Sequence, residues 1–356
     1  MTEFLPRIAL TVGDVAGIGP EVVVRAIADQ KLRELCRPVV VGHPAVVARA
    51  RQLVGATFDV TEVGSLTEID WNSSSVPCWN PSIDQADDVP VGRTDARAGQ
   101  AAYDYLVAAT RAALRGEIDA ITTAPLNKAA LHAAGLNFPG HTEILAYECG
   151  VQDFAMMLYL PSGGFLPKGE FGLGVAHVTL HTSIRSVPDL LNIPHIRETI
   201  QLVSDFLKRV GCQSPRVGVC ALNPHAGEEG LFGDEESTLI APAVKDARTL
   251  GINATGPIPA DALLRRAVYG EFDGVAAMYH DQGHIALKLI GFERAVNVTL
   301  GLPIIRTSPS HGTAFDIAWQ GKARAEGFVE AVRTAALLVR SKTNGGKRQL
   351  QWSNEQ

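Results

Sequence analysis

This sequence has no apolar run as long as the roughly 20 residues a membrane-spanning helix needs. No such helix is expected. Positive charge is not in excess: 32 Lys and Arg stand against 38 Asp and Glu, a net charge of −6. That balance gives no reason to expect nucleic acid or an anionic membrane as a partner. Cysteine is scarce, five residues, and no two form a C-x-x-C pair. They read as reduced thiols in a cytoplasmic protein. The opening MTEFLPRIALTVGD has an acid near its start and runs straight into a strand, unlike an export signal. Internal repeats are absent too.

What is there is a hydrophobic content of 46% and 34 glycines in 356 residues. The composition fits a globular α/β enzyme, and the length suggests two domains. IALTV (8–12) reads as a buried strand. GDVAGIGPE (13–21) follows as a Gly-rich turn with Pro20 at a helix start. Strand, glycine loop and helix together can offer backbone N–H groups to an anion, yet this loop is neither the dinucleotide fingerprint nor a Walker loop. A plain tight turn explains it equally well.

The pattern predicts a strand at 38–42, a helix at 44–54 and an irregular connection over 64–93. A long Ala-rich helix is expected at 94–116, a strand at 118–125 and a short helix at 126–135. FPGHTEILAYECG (138–150) reads as a polar turn into a helix, with His141 and Thr142 near its N-terminus, where anions are favoured. Thr142 as an ordinary cap is the competing reading. Strands are expected at 154–160, 173–180 and 215–222, and helices at 194–211, 234–251 and 324–342. Asp261 falls just inside a helix in 256–268, and the tail after 342 reads as frayed. The expected domains are 1–130 with 307–356, and 131–306.

The stretch 272–316 concentrates the chemistry. It holds His280, His284, His311, Lys288, Arg294, Arg306 and Asn297 among apolar runs. Buried charges are costly unless paired, so a purely structural stretch would rarely carry this set. It reads as strand, polar turn (HDQGH), β-rich run, then a turn (SHGTAFD) into a helix. His181, His225 and His280 each follow an apolar strand, and strand-end residues of a parallel sheet converge on one crevice. Three imidazoles with an open position suit a catalytic zinc site. A lone strand-end histidine is more often just a polar loop residue. Asp261 and Asp281 are candidate supporting partners or a base.

Eight ordered motifs, GDVAGIGPE, TAPLNK, GHTE, LNPHAGEEG, GPIPAD, YHDQG, NVTLGLPIIRTS and HGTAFDIA, resemble those of the 4-hydroxythreonine-4-phosphate dehydrogenase family of pyridoxine biosynthesis. The resemblance covers about residues 8–340. It implies NAD-dependent oxidation (or NADP-dependent) of a secondary alcohol beta to a carboxylate in a phosphorylated substrate, followed by decarboxylation. It implies a divalent metal, often zinc, with magnesium, cobalt or manganese as alternatives, on His181, His225 and His280. It implies substrate contacts at His141, Thr142, Lys288, Asn297 and Arg306. Cofactor contacts would come from Gly13 and Gly17 of the first motif and from His311, Gly312 and Thr313 of the last. Lys128 and Asp261 are the candidates for proton transfer. The implied assembly is a homodimer with active sites built from both chains. The implied fold is two α/β/α domains around a cleft, like the isocitrate and isopropylmalate dehydrogenases and without a Rossmann loop.

The residue types suit that chemistry. A metal lowers the alcohol pKa and stabilises the enolate left by decarboxylation, and Lys288 and Arg306 offer charge-assisted hydrogen bonds to a phosphate. The chain departs from family habit at Val15 (usually Pro), Ser310 (usually Asp) and Trp319 (usually Gly). HDQGH followed by IALK is closer to a branch acting on other phosphorylated four-carbon acids such as threonate or erythronate 4-phosphate. Competing readings are a dehydrogenase for the cis-dihydrodiol of terephthalate, a metallohydrolase with a three-histidine site, and a non-catalytic sensor of phosphorylated metabolites.

Overall fold

The structure is a computed structural model and describes residues 4–82, 86–152 and 154–344. The frayed tail expected after 342 lies largely outside these residues. One twelve-stranded sheet organises the chain. Its strands are β1 (Arg7–Thr11), β2 (Arg37–Val41), β3 (Val60–Val63), β4 (Val76–Trp79), β5 (Ala120–Thr123), β6 (Ala155–Leu160), β7 (Leu173–His177), β8 (Val217–Cys220), β9 (Ala254–Ile258), β10 (Gly274–Ala277), β11 (Val296–Leu300) and β12 (Arg306–Pro309). The helices are α1 (Gly19–Ala28), α2 (Gln30–Leu35), α3 (Pro44–Val54), α4 (Ala96–Leu114), α5 (Lys128–Ala133), α6 (His141–Cys149), α7 (Val187–Leu190), α8 (Ile193–Arg209), α9 (Ala241–Thr249), α10 (Ala260–Val268), α11 (His280–Gly291) and α12 (Glu326–Asn344). The fold is mixed α/β.

Strand order is β3-β4-β2-β1-β5-β12-β11-β6-β7-β10-β8-β9. The first six run parallel, and so do the last four. Between them β11 and β6 are antiparallel to their neighbours. The parallel strands read as continuous apolar runs because helices cover both faces: β1, β5 and β10 are buried almost throughout.

Local signals explain most helix ends. The His43 ring accepts from Ala45 N, Pro44 opens α3, and Gly55 closes it in the left-handed conformation. Asn192 caps α8 through His195 N. Gly99 is required by packing: a Cβ there would lie 2.1 Å from Ala130 O, so glycine lets α4 touch α5 and fixes where Lys128 begins that helix.

Three expectations need correction. HDQGH is not a turn but the first turn of α11, entered directly from β10. The Gln282 side chain accepts from Met278 N (2.7 Å) and donates to Ala221 O (2.7 Å), tying the helix start to two strands. SHGTAFD leads into no helix: residues 311–325 form turns, and α12 starts at Glu326. The segment 64–93 contains β4, whose four residues pair with β2 and β3. That strand is held by backbone bonds that composition does not reveal. The five cysteines are free thiols. Among the described residues no helix is long and apolar enough to cross a membrane.

Candidate active site

Side chains alternate across a strand, and directly paired residues share a face. The register therefore places the site. Asn297 pairs with both Ser308 and Leu158, and Thr299 pairs with Met156. Arg306 pairs with Ile121, two residues before Thr123. Thr123, Arg306, Ser308, Asn297, Thr299, Met156 and Leu158 thus stand on one face, across the antiparallel joint of the sheet. The opposite face of the joint is covered by α12, where Thr307 Oγ1 donates to Ala331 O.

Most of these residues floor a cleft of about 250 Å³. Its walls include Lys128, His141, Thr142, Glu143, His181, His280, His284, His311 and Gly312. Nine predicted site residues therefore meet: Lys128, His141, Thr142, His181, His280, Asn297, Arg306, His311 and Gly312. Glu143 and His284 were assigned no role from sequence; both sit within motifs the sequence had singled out, GHTE and HDQGH. Glu143 is the one carboxylate among the lining residues.

Arg306 dominates the electrostatics. It is 2% exposed. Nη2 donates to Thr123 Oγ1 (2.7 Å) and Nη1 to Thr299 Oγ1 (3.2 Å), while Nε has no partner. Two neutral hydroxyls stand where a buried guanidinium normally meets a carboxylate. Burial pulls its pKa down to about 10, with Glu143 opposing. Burial in the cleft and the Arg306 charge push the His141 imidazole well below its ordinary value, so it is neutral. Asn297 Oδ1 and His311 Nε2 are also buried without partners. His311 Nδ1 donates to Gly312 O (3.1 Å), which leaves Nε2 as an acceptor.

The three strand-end histidines converge only in part. The His181 and His280 rings lie 5.8 Å apart. His280 Nδ1 bonds Asp281 Oδ1 at 2.7 Å, an arrangement that orients a metal-binding imidazole and frees Nε2. His225 stands apart, exposed, its ring 6.5 Å from Phe232. Its loop is a run of left-handed residues, His225 to Glu229 with φ between 46° and 80°. Buried Glu236 holds the base of that loop by accepting from Leu222 N (2.8 Å) and Asn223 N (2.7 Å). Among the described residues no three His, Cys, Asp or Glu side chains of one chain are gathered as a metal site. Asp261 is exposed at the start of α10 and does not line the cleft. Lys288 does not line it either; its Nζ lies 5.8 Å from the Phe292 ring, two turns along α11 from His280.

The two predicted cofactor stretches pack together. Ile18 N donates to Thr313 O (3.0 Å), and a Cβ on Gly17 would strike Thr313. Gly13 adopts φ 65° against Pro125 O. The departures from family habit find partners here. Trp319 has φ 57°, a conformation natural to glycine. Its indole donates to Val15 O (2.8 Å), and Arg49 lies 3.7 Å over the ring. Ser310 Oγ donates to Phe292 O (3.1 Å), a bond an ionised aspartate could not make.

Asp14 in this loop is fully buried. Its Oδ1 accepts from Ala16 N (2.8 Å), and Oδ2 has no partner. Burial pushes its pKa up to about 6 from 3.8. The folded state therefore prefers the protonated acid, and its contribution to stability falls as pH rises from about 4 to about 6. At roughly 1.4 kcal/mol per unit the loss is on the order of 3 kcal/mol. Asp14→Asn should be more stable than the parent above pH 6 and no more stable below pH 4. Urea midpoints at pH 4 and pH 8 check this, and an equal gain at both would refute it.

A histidine-lined cleft with Arg306 buried in its floor thus sits across the antiparallel joint of a mixed α/β sheet. The family follows from comparison with known proteins. The model of the pyridoxal phosphate biosynthetic protein PdxA family matches residues 34–335, and the chain belongs to that family. It is 43% identical to a 4-hydroxythreonine-4-phosphate dehydrogenase of Geobacter metallireducens, over 97% of this chain and 99% of that one. It is 44% identical to a D-threonate 4-phosphate dehydrogenase of Cupriavidus necator, over 95% and 99%. The crystal structure of a 4-hydroxythreonine-4-phosphate dehydrogenase from Klebsiella pneumoniae superposes with a TM-score of 0.82 at 42% identity, covering 95% of this chain and 99% of that one.

Proposed function

We propose that this chain is an NAD-linked dehydrogenase for a phosphorylated four-carbon hydroxy acid, of the 4-hydroxythreonine or threonate 4-phosphate type, and that decarboxylation of the beta-keto acid follows. The observation that carries the reading is Arg306. A buried guanidinium without a carboxylate is costly, and an anionic ligand in the cleft would complete it. Unpartnered Asn297 Oδ1 and His311 Nε2 await donors from the same ligand. Neutral His141 can bond the substrate without adding charge. Lys288 would join through its flexible stem, and Lys128 on the rim is suited to passing the hydroxyl proton to solvent.

His181 and His280 suit a divalent borderline metal as two of its ligands. Such an ion would polarise the substrate oxygens and stabilise the enolate formed as carbon dioxide leaves. The third imidazole would be His225 of a second chain in a homodimer. Support for that assembly comes from the loops and the helix that carry these histidines. They also expose Ile184, Leu190, Leu231, Phe232, Ile285 and Leu289. Exposed apolar side chains on each of these histidine-bearing segments fit an interface between two chains. The Gly13–Gly17 and His311–Thr313 loops would hold NAD, which would supply the hydride acceptor.

Purified protein with a divalent metal, NAD and phosphorylated four-carbon hydroxy acids should generate NADH absorbance and carbon dioxide. Turnover of the same compounds without any nicotinamide would overturn the reading.

A further inference from the structure

Beside the cleft lies a second histidine arrangement, distinct in geometry from the His181–His280 pair. His177 ends β7 and faces the same side of the sheet as Met156, and it is 1% exposed. His284 lies one turn after His280 on α11 and is 6% exposed, in the cleft wall. Its ring stacks on His280, with centroids 3.7 Å apart and an interplanar angle of 13°. Stacked rings at that angle do not converge on one ion.

The hydrogen bonds set the tautomers that these two rings adopt when neutral. His177 Nδ1 meets Met156 O at 3.2 Å. A carbonyl only accepts, so Nδ1 carries the proton and the neutral ring must have a bare Nε2. That Nε2 meets His284 Nδ1 at 3.1 Å. His284 Nδ1 therefore donates, and His284 Nε2 is left as a lone pair. The His284 ring also meets the backbone of His280, one turn earlier on the helix. Gly283 makes the contact possible: a Cβ there would lie 2.5 Å from His177 Nε2 and 2.6 Å from Val175 Cγ1. The spacing of HDQGH thus presses α11 onto β7 so that the two rings meet.

We infer that the Met156–His177–His284 relay makes His284 Nε2 a fixed hydrogen-bond acceptor that selects a substrate hydroxyl, so that His284 is a specificity residue and His177 its positioning residue. This rests on the function proposed above and names which member of that substrate class the site takes. The group recognised must be a donor. An ammonium would stand in a cleft already holding Arg306 and Lys128, with Glu143 as the one lining carboxylate. A hydroxyl adds no charge. The favoured substrate is accordingly a hydroxy acid phosphate with a hydroxyl at the carbon beside the carboxylate, not its 2-amino counterpart.

The test compares the 2-hydroxy, 2-amino and 2-deoxy forms of the four-carbon 4-phosphate acid on wild type, His284→Leu, His177→Phe and His177→Gln. Wild type should favour the 2-hydroxy over the 2-deoxy form by about 5- to 150-fold in kcat/KM, because the 2-deoxy form leaves a buried acceptor unpaired. His284→Leu should shrink that ratio to within about threefold, chiefly by slowing the 2-hydroxy substrate and with metal content unchanged. His177→Phe should do the same from outside the cleft. His177→Gln should restore it, because its amide can donate to Met156 O and accept from His284. Nitrogen-15 spectra of the wild-type protein should show His284 protonated at Nδ1 and bare at Nε2. A protonated Nε2 would overturn the relay whatever the substrate. An unchanged hydroxyl-to-deoxy ratio in an active His284→Leu enzyme, loss of its metal, or wild-type preference for the 2-amino form would overturn the selection. Absence of NAD reduction by wild type with all three acids would count against the proposed function instead, leaving the spectra to judge the relay.

Discussion

Arg306→Met should make this protein more stable and a far poorer catalyst. The guanidinium is buried, meets two threonine hydroxyls and has no carboxylate. Replacing buried ionic groups by packed apolar side chains of similar volume is often neutral or stabilising, by about 1–4 kcal/mol. Two hydroxyls lose a donor, at a cost of about 1 kcal/mol each if neither finds another. Thr123 lines the cleft, where water can donate in place of the guanidinium, so the net change should stay favourable. Catalysis should move the other way. A charge-assisted bond is worth about 1.5–3 kcal/mol, which lowers kcat/KM by roughly 10- to 150-fold. If the bond also orients the reacting carbon, kcat falls with it. Denaturant midpoints and steady-state rates on one preparation decide the matter. A variant that is both destabilised and fully active would show that Arg306 holds the fold rather than a ligand. An unphosphorylated analogue should be turned over poorly by wild type and should distinguish little between the two proteins.

His225→Ala and His280→Ala should each be nearly inactive alone, and mixing them should recover activity. In one chain His181 and His280 are neighbours, whereas His225 is exposed on its left-handed turn. If His225 serves the second chain of a symmetric dimer, each mixed dimer contains one intact site. Random reassortment of equal amounts then returns about a quarter of wild-type activity. His181→Ala mixed with His280→Ala should return almost none, because both of these histidines in a site come from one chain and every site therefore carries one lesion. Metal analysis gives a second readout, with occupancy recovering in the first mixture and not in the second. Recovery in neither mixture, from chains shown to exchange subunits, would exclude a shared site.

The mutual arrangement of Trp319, Val15 and Ser310 shows how departures from a pattern are absorbed. A sequence shows three unusual residues. The structure pairs the Trp319 indole with the Val15 carbonyl and turns the Ser310 hydroxyl onto the end of α11.

The sequence by itself determined the elements and much of the cleft. Periodicity placed α3 at Pro44–Val54 and β1, β5 and β10 in the core, because apolar spacing is a local property written directly in the residues. The motif resemblance selected nine residues that line one cleft, since strand and helix ends beside a sheet are where side chains can converge. Tertiary structure decided the rest. The four residues of β4 are a strand through pairing with β2 and β3, and HDQGH is a helix because Gln282 ties it to β8 and β10. His225, Asp261 and Lys288 were expected beside the other site residues, yet within one chain each lies off the cleft. A sequence records which side chains follow each strand; it does not record how far each loop carries them or in which chain they meet. The His177–His284 relay was invisible for the same reason. It depends on a register, a helix pressed close by Gly283, and a carbonyl that can only accept, and these come together only when the backbone has folded.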